Sequence, residues 1–335
     1  LELQMARVVR FHEFGGPEVL QIEEVEMLPL GAGEVRIRTR ALGLNRAEAL
    51  MRRGTYIETP PLPARLGLEA AGIVEEVGAG VRGIAVGDAV SVVPPVSMVR
   101  WPAHGELATF PAELVVKHPP SMGWEEAAAL WMPFLTAYGA LIDIAAIGPG
   151  DFVGVTAASS SVGLAAIQIA NAAGATPIAI TRTSGKREAL ARAGAPHVVA
   201  AQEEDLAARL TAIAGSAGVR VVLDAVGGTQ VEAIVAAMSA GGTLFEYGGL
   251  SPEPTPFPLG PALGKSITMR GYLVHEIVRD PVRLAAAKDC ILRGVASGDL
   301  RPIIAKTFPF ERIADAHHYL ESNDQFGKVV VTVES

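Results

Sequence analysis

From about Glu125 onward, short and continuously apolar runs alternate with alanine-rich helical stretches, and no other feature of the chain limits its possible folds so tightly. "DFVGVTA" leads into "VGLAAIQIANAAGA", "TPIAITR" into "GKREALARAGA", and "VRVVLDAVGG" into "QVEAIVAAMSAG" before "GTLFEYGG". Strands that are apolar along their whole length are buried on both faces, so helices must cover both sides of the sheet through right-handed crossovers. The expected class is therefore α/β, with a doubly wound parallel sheet.

The first 125 residues have a different texture. Short β-like runs such as "ARVVRF", "EVRIRTRALGL", "AAGIVEEVG" and "LVVKHP" are separated by Gly and Pro turns, which is an all-β or barrel-like pattern. After the Pro-rich connector or lid "SPEPTPFPLGP", the chain ends in a strand, a helix and the strand "FGKVVVTV", which could complete the first domain. This predicts two domains, residues 126–265 inserted into a domain made of 1–125 and 266–335. Met5 reads as the natural start, so Leu1 to Gln4 are set aside.

Composition narrows the function classes. A net charge of -8 and a pI near 5.5 argue against nucleic acid or an anionic membrane as the main partner. Cys290 is the single cysteine, so no disulfide framework or cysteine zinc cluster is expected, and a reducing cytoplasm is the simplest location. No uninterrupted apolar run reaches the roughly 18 residues of a spanning helix.

Ligand binding is expected where "DFVGVTA" turns through "ASSSVG" into a helix. Unpaired amides and the positive end of the helix dipole favour an anion there, and small side chains let a pyrophosphate approach. Ala157, Ser160 and Ser161 stand where the dinucleotide fingerprint usually has glycine, leaving Gly163 as the last of the set, with Val162 beside it. A free ribose 2′-hydroxyl would call for Asp or Glu at the end of the second strand. This chain has Thr181-Arg182-Thr183-Ser184-Gly185-Lys186. Arg182, Thr183 and Lys186 suit a 2′-phosphate, which predicts NADPH over NADH; a solvated basic helix start is the alternative. "LDAVGG", Asp224 to Gly228, and "FEYGGL", with Tyr247, Gly248, Gly249 and Leu250, end two further strands where ligand lies in such sheets, unless the paired glycines only make turns.

"FHEFGGPEVL", "EVRIRTRALGLNRAE", "GLEAAGIVEEVGAGV", "GDAV", "LTAYGAL", "SSVGLAAIQIA", "LDAVGG" and "FGKVVV" occur in one order from about Ala6 to Val333. In that order the chain resembles the zinc-independent quinone oxidoreductases, the zeta-crystallin group of the medium-chain dehydrogenase/reductase superfamily. The resemblance implies a Rossmann domain inserted into a GroES-like catalytic domain, a homodimer, and hydride transfer from NADPH. Positions that hold a zinc-ligating cysteine and histidine in zinc-dependent relatives are Asn45 and Leu68 here, so no catalytic metal is expected. The seven histidines are scattered, and His12, His104, His118, His197, His275, His317 and His318 are read as surface or internally satisfied groups.

Without a metal, the acceptor must itself be electrophilic, as quinones and α,β-unsaturated carbonyls are, and the protein orients it and excludes water. By resemblance, Asn45 is an amide near the nicotinamide or the substrate oxygen, with a turn asparagine as the alternative. Tyr56 is a proton or hydrogen-bond donor in the substrate loop, or else a packing residue. Thr136 is the nicotinamide-side threonine, and Lys328 a cofactor-side lysine or simply a lysine on an edge strand. Met98, Trp101, Trp131, Met132 and Phe134 could form a bulky pocket lining. Two other readings stay open: reduction of an enal or enone double bond, and a non-catalytic nucleotide-binding or RNA-associated protein. The dimer is expected through the "SITMRGYLV" edge strand.

Overall fold

A computed structural model describes residues 4–334. Leu1 to Leu3, most of the stretch set aside before Met5, lie outside the described residues. Contacts divide the chain into two compact units, Leu1–Met132 with Pro302–Ser335, and Pro133–Arg301.

The first unit runs through β1 (Met5–Phe11), β2 (Gln21–Glu26), β3 (Glu34–Gly43), α1 (Arg46–Arg52), β4 (Ala64–Arg65), β5 (Glu69–Val77), β6 (Ala89–Val92), β7 (Leu107–Pro111), β8 (Val115–Lys117) and α2 (Trp124–Ala127). The helix α3 (Trp131–Tyr138) follows. The second unit continues with β9 (Phe152–Val155), α4 (Ser161–Ala172), β10 (Thr176–Thr181), α5 (Arg187–Arg192), β11 (His197–Ala200), α6 (Leu206–Ala214), β12 (Val219–Asp224), α7 (Gln230–Ala237) and β13 (Met238–Glu246). It closes with α8 (Leu259–Lys265), β14 (Thr268–Gly271), α9 (His275–Val278) and α10 (Pro281–Ser297). The chain then returns to the first unit as β15 (Ile304–Pro309), α11 (Ile313–Ser322) and β16 (Lys328–Thr332).

In the first unit β3 organises the larger sheet, whose order is β15-β16-β3-β5-β6-β8, with β7 also paired to β3 and a smaller sheet β2-β1-β4. Val35, Ile37 and Leu42 of β3 join Val9, Phe11, Val74, Phe110 and Val331 in one buried cluster, so the alternating "EVRIRTRALG" pattern became a strand with a core face. β16 lies between β15 and β3 and pairs antiparallel with β3 from Val330↔Gly43 to Thr332↔Ala41. The reading of Lys328 as a lysine on an edge strand is therefore corrected: the strand is internal and the side chain is 1% exposed.

The second unit has strand order β11-β10-β9-β12-β13-β14, which in chain order is 3-2-1-4-5-6, with the neighbouring strands parallel throughout. That is the doubly wound Rossmann order, which reverses between its first and fourth strands and leaves a ligand crevice there at the strand C-termini. The return to the first unit comes later than the expected residue 266. β14 pairs in parallel with β13 from Thr243↔Thr268 to Glu246↔Gly271, which holds residues 266–301 in the inserted unit. Among the described residues, 124–144 is a helical stretch long and apolar enough to cross a membrane by length and composition, although Glu125, Glu126 and Asp143 interrupt its apolar run. It is 78% buried inside the protein, as a core helix is.

Candidate active site

The turn from β9 into α4 begins on Ala157 at φ 44, the left-handed region that favours glycine and that explains why the fingerprint expects glycine nearby. Ser160 caps α4, its Oγ accepting the Gly163 N–H at 3.0 Å. The Ser161 and Val162 amides stand at the same helix start, where N–H groups have no partner within the helix. Gly163 is required by packing, since a Cβ there would lie 2.7 Å from the Ala158 backbone. Helix and turn are thus drawn together as a phosphate cradle requires.

The basic segment after β10 reaches this turn. Lys186 Nζ donates to Ser159 Oγ at 3.2 Å, while Arg182 and Thr183 are exposed at the strand end. From β13, the Tyr247 phenol is hydrogen-bonded to Ser160, and burial beside Asp224 pushes it above its ordinary range, so it stays protonated. The structure therefore gathers Ser160, Gly163, Lys186 and Tyr247 at the C-terminal ends of β9, β10 and β13.

Sequence reasoning missed a staple between β9 and β12. Thr156 Oγ1 donates to Asp224 Oδ1 at 2.6 Å and accepts the Ala225 N–H at 2.9 Å, fixing the two strand ends that flank the crevice. The paired glycines at 227 and 228 make a left-handed turn, with φ 64 and φ 69, and the Gly228 N–H reaches Thr255 Oγ1 at 2.9 Å. Leu250 N and Ser251 N bond to Ala225 O and Val226 O, so the "connector or lid" is pinned where it starts. Gly248 is needed for close approach, its position lying 2.8 Å from Ala225 O once a Cβ is added, whereas Gly249 faces open space. Thr136 is buried on α3.

In the first unit, Asn45 precedes α1 and its backbone N–H is received by Glu48 Oε2 at 2.9 Å, one half of a capping box. Its side chain is turned to a buried ionic group. Lys328 Nζ donates to Asn45 Oδ1 at 2.6 Å and to Glu69 Oε2. Asn45 Nδ2 lies within hydrogen-bonding distance of Gly43 O, Glu48 Oε1 and Glu69 Oε2, at 3.1, 3.3 and 3.2 Å. The Met132 N–H completes the set on Glu69 Oε1 at 2.7 Å. Asn45 and Lys328, named separately from the sequence, form one network; Glu69 was missed, although it is the glutamate of "GLE" beside Leu68.

Tyr56 is half-buried against the first unit's core, and burial with Glu58 and Glu48 nearby pushes its phenol up to about 12. It is a permanent donor at neutral pH. The loop that carries it is tied to the 97–101 loop through Ser97 Oγ, which donates to Glu58 Oε1 at 2.5 Å. The expected bulky pocket lining is only partly there to be used. Met98, Trp131 and Phe134 are fully buried, with Trp131 Nε1 donating to Ser91 Oγ at 2.9 Å, because large apolar side chains gain most from complete burial. Trp101 and Met132 are half-buried against the same cluster.

The histidine reading also needs correction. His104 and His317 are neither at the surface nor satisfied: both are fully buried and no ring nitrogen of either has a hydrogen-bond partner among the described residues.

Two family models match, an alcohol dehydrogenase GroES-like domain over residues 31–120 and a zinc-binding dehydrogenase over residues 161–287. Quinone oxidoreductase 1 of Escherichia coli is 33% identical over 326 residues, covering 95% of this chain and 97% of that protein. A 2-haloacrylate reductase of Burkholderia is 30% identical over 336 residues, covering 98% of each chain. The crystal structure of an Escherichia coli quinone oxidoreductase complexed with NADPH superposes with a TM-score of 0.86 and 32% identity, covering 98% of this chain and 100% of that one. Fold and half-sites together define an oxidoreductase of the medium-chain dehydrogenase/reductase class. Within that class, the chain belongs to the quinone oxidoreductase family.

A catalytic zinc of the kind used by zinc-dependent members does not fit the residues present at its expected position. Leu68 has no donor atom, and the Asn45 amide is committed to Lys328, Glu48 and Glu69.

Proposed function

We propose that this chain is an NADPH-dependent reductase that passes hydride to a quinone or a similarly electrophilic carbonyl, with no metal at the reacting oxygen. The observation that carries the reading is the tie between Lys186 and the Ser159–Gly163 turn. A cation beside this turn supports a 2′-phosphate, as does the lack of a carboxylate directly after β10. The cradle fits a dinucleotide: Ser160, Ser161, Val162 and Gly163 would hold the pyrophosphate, Arg182, Thr183 and Lys186 the 2′-phosphate, and Tyr247, Gly248, Gly249 and Leu250 would line the ribose and nicotinamide side with Thr136. When bound, NADPH supplies the hydride, and a proton completes two-electron reduction of the acceptor.

On the acceptor side, Tyr56 donates a hydrogen bond to the oxygen that gains charge, since its phenol remains protonated. Lys328 and Glu69 hold the Asn45 side chain in place, as an amide that would lie near the nicotinamide of a bound cofactor. A second reading, reduction of an activated carbon-carbon double bond, is supported by the similarity to a 2-haloacrylate reductase. The same chemistry of hydride delivery serves both. We further propose a homodimer formed along β14, the edge of the inserted sheet, and a soluble protein of a reducing cytoplasm without a nucleic-acid partner.

NADPH oxidation measured at fixed protein with a panel of quinones and alkenals tests the proposal. Turnover on quinones supports the first reading, and turnover on alkenals alone replaces it with the second. Silence with every acceptor, despite nucleotide binding, would favour a non-catalytic binder. Light scattering that finds a monomer would refute the dimer.

A further inference from the structure

Glu48, His104 and His317 converge inside the first unit, each with no exposed surface. They come from distant parts of the chain: α1, the segment before β7, and α11, which belongs to the part that returns after the inserted domain. His104 Nε2 is 3.6 Å from Glu48 Oε1. The two imidazoles are edge to face with centroids 6.0 Å apart. One donor atom from each of the three residues lies within 4.8 Å of the others.

Two facts make this more than crowding. All four ring nitrogens of His104 and His317 lack a hydrogen-bond partner among the described residues, and a buried polar atom left unpaired costs about 1–3 kcal/mol. The two rings face each other and the Glu48 carboxylate, which already accepts the Asn45 and Leu68 N–H groups, so one occupant among them would satisfy both rings. A ring nitrogen without a hydrogen-bond partner also has its lone pair open to a metal.

We propose that Glu48, His104 and His317 form a structural site for a first-row divalent cation of the zinc type, next to the Asn45 network through Glu48. Two imidazoles and a carboxylate are a zinc-type donor set, whereas calcium and magnesium take oxygen ligands. Zinc–ligand bonds are roughly 2.0–2.2 Å, which puts tetrahedral donors about 3.3–3.6 Å apart. The Glu48–His104 separation of 3.6 Å matches, and the three donor atoms all lie within 4.8 Å of one another. The neighbouring cations Arg52 and Lys328 are met by Glu321 and Glu69, which leaves Glu48 as the carboxylate of the site. Arg65 is a third cation near His104. Such an ion would clasp the returning C-terminal segment to the N-terminal one, closing a domain that an insertion divides.

The test loads the full-length protein with Zn2+ or Co2+, removes free metal, and measures bound metal and thermal midpoint with and without a chelator. The account expects about one ion per chain, a chelator-sensitive rise in the midpoint, and tetrahedral ligand-field bands from Co2+. His104→Gln and His317→Gln are expected to weaken binding at least tenfold, whereas His318→Gln, an exposed neighbour, keeps it. If a histidine variant does not fold, the Co2+ spectrum of the unaltered protein still decides. Substoichiometric metal, octahedral Co2+ bands, or binding lost with His318→Gln would overturn the proposal. Reductase activity is a separate readout, since neither histidine belongs to the NADPH or acceptor groups above.

Discussion

Replacing Lys328 by Met should destabilise the first unit far more than a surface lysine would. The side chain is 1% exposed and so is Glu69, its ion-pair partner. Lys328→Met leaves Glu69 buried with only the Met132 and Asn45 N–H donors, at 2.7 and 3.2 Å, and leaves Asn45 Oδ1 without its donor. Removing one partner of a buried pair costs about 3–5 kcal/mol, because the remaining charge is uncompensated, against about 0–1 kcal/mol for an exposed pair. Lys328→Met with Glu69→Gln removes that charge, so the double variant should regain about half or more of the loss, a coupling of at least about 2 kcal/mol. The assay is built into the chain: Trp101, Trp124 and Trp131 all lie in the first unit, so tryptophan fluorescence during denaturation follows that unit. A loss below about 1 kcal/mol in the single variant, or a double variant worse than the single, would refute the reasoning.

Three further outcomes follow from local geometry. Gly163→Ala places a Cβ 2.7 Å from backbone that cannot move aside, so nucleotide affinity measured by fluorescence titration should fall at least tenfold; unchanged affinity would remove Gly163 from the cradle. Ala157→Gly relieves a left-handed alanine at φ 44 and should leave the thermal midpoint unchanged or raise it by the equivalent of up to about 1 kcal/mol. Glu246 is raised to about 7 by burial and by Asp224, so the folded state holds its proton more tightly than the unfolded state does. Its stabilising contribution is present below about pH 4.5 and is lost as pH rises through about 7, a slope of about 1 kcal/mol after allowing for its partial exposure, which Glu246→Gln should flatten in a pH series of denaturation midpoints.

The doubly wound domain was legible because its strands are apolar end to end and its helices periodic. The position of the return was not, since "KSITMRGYLV" reads equally as a strand of either domain and only its pairing with β13 assigns it. Ser160, Gly163 and Lys186 could be named from the strand-turn-helix order, as local spacing fixes them. Glu69 could not be read as Lys328's partner because they are far apart in sequence and meet only through β5, β3 and β16. The histidine pair was misread for the same reason: "AHGE" and "AHHY" carry no sign that their first imidazoles share an enclosed space.

The central claim, an NADPH-specific reductase, is tested most directly by kcat/KM for NADPH and NADH with one good quinone, in the unaltered protein and in Arg182→Ala with Lys186→Ala. Each lost charge-assisted bond is worth about 1.5–3 kcal/mol, so the double variant should lose at least about tenfold for NADPH and almost nothing for NADH. Equal use of both nucleotides by the unaltered protein, or an unchanged NADPH value in the variant, would contradict the account.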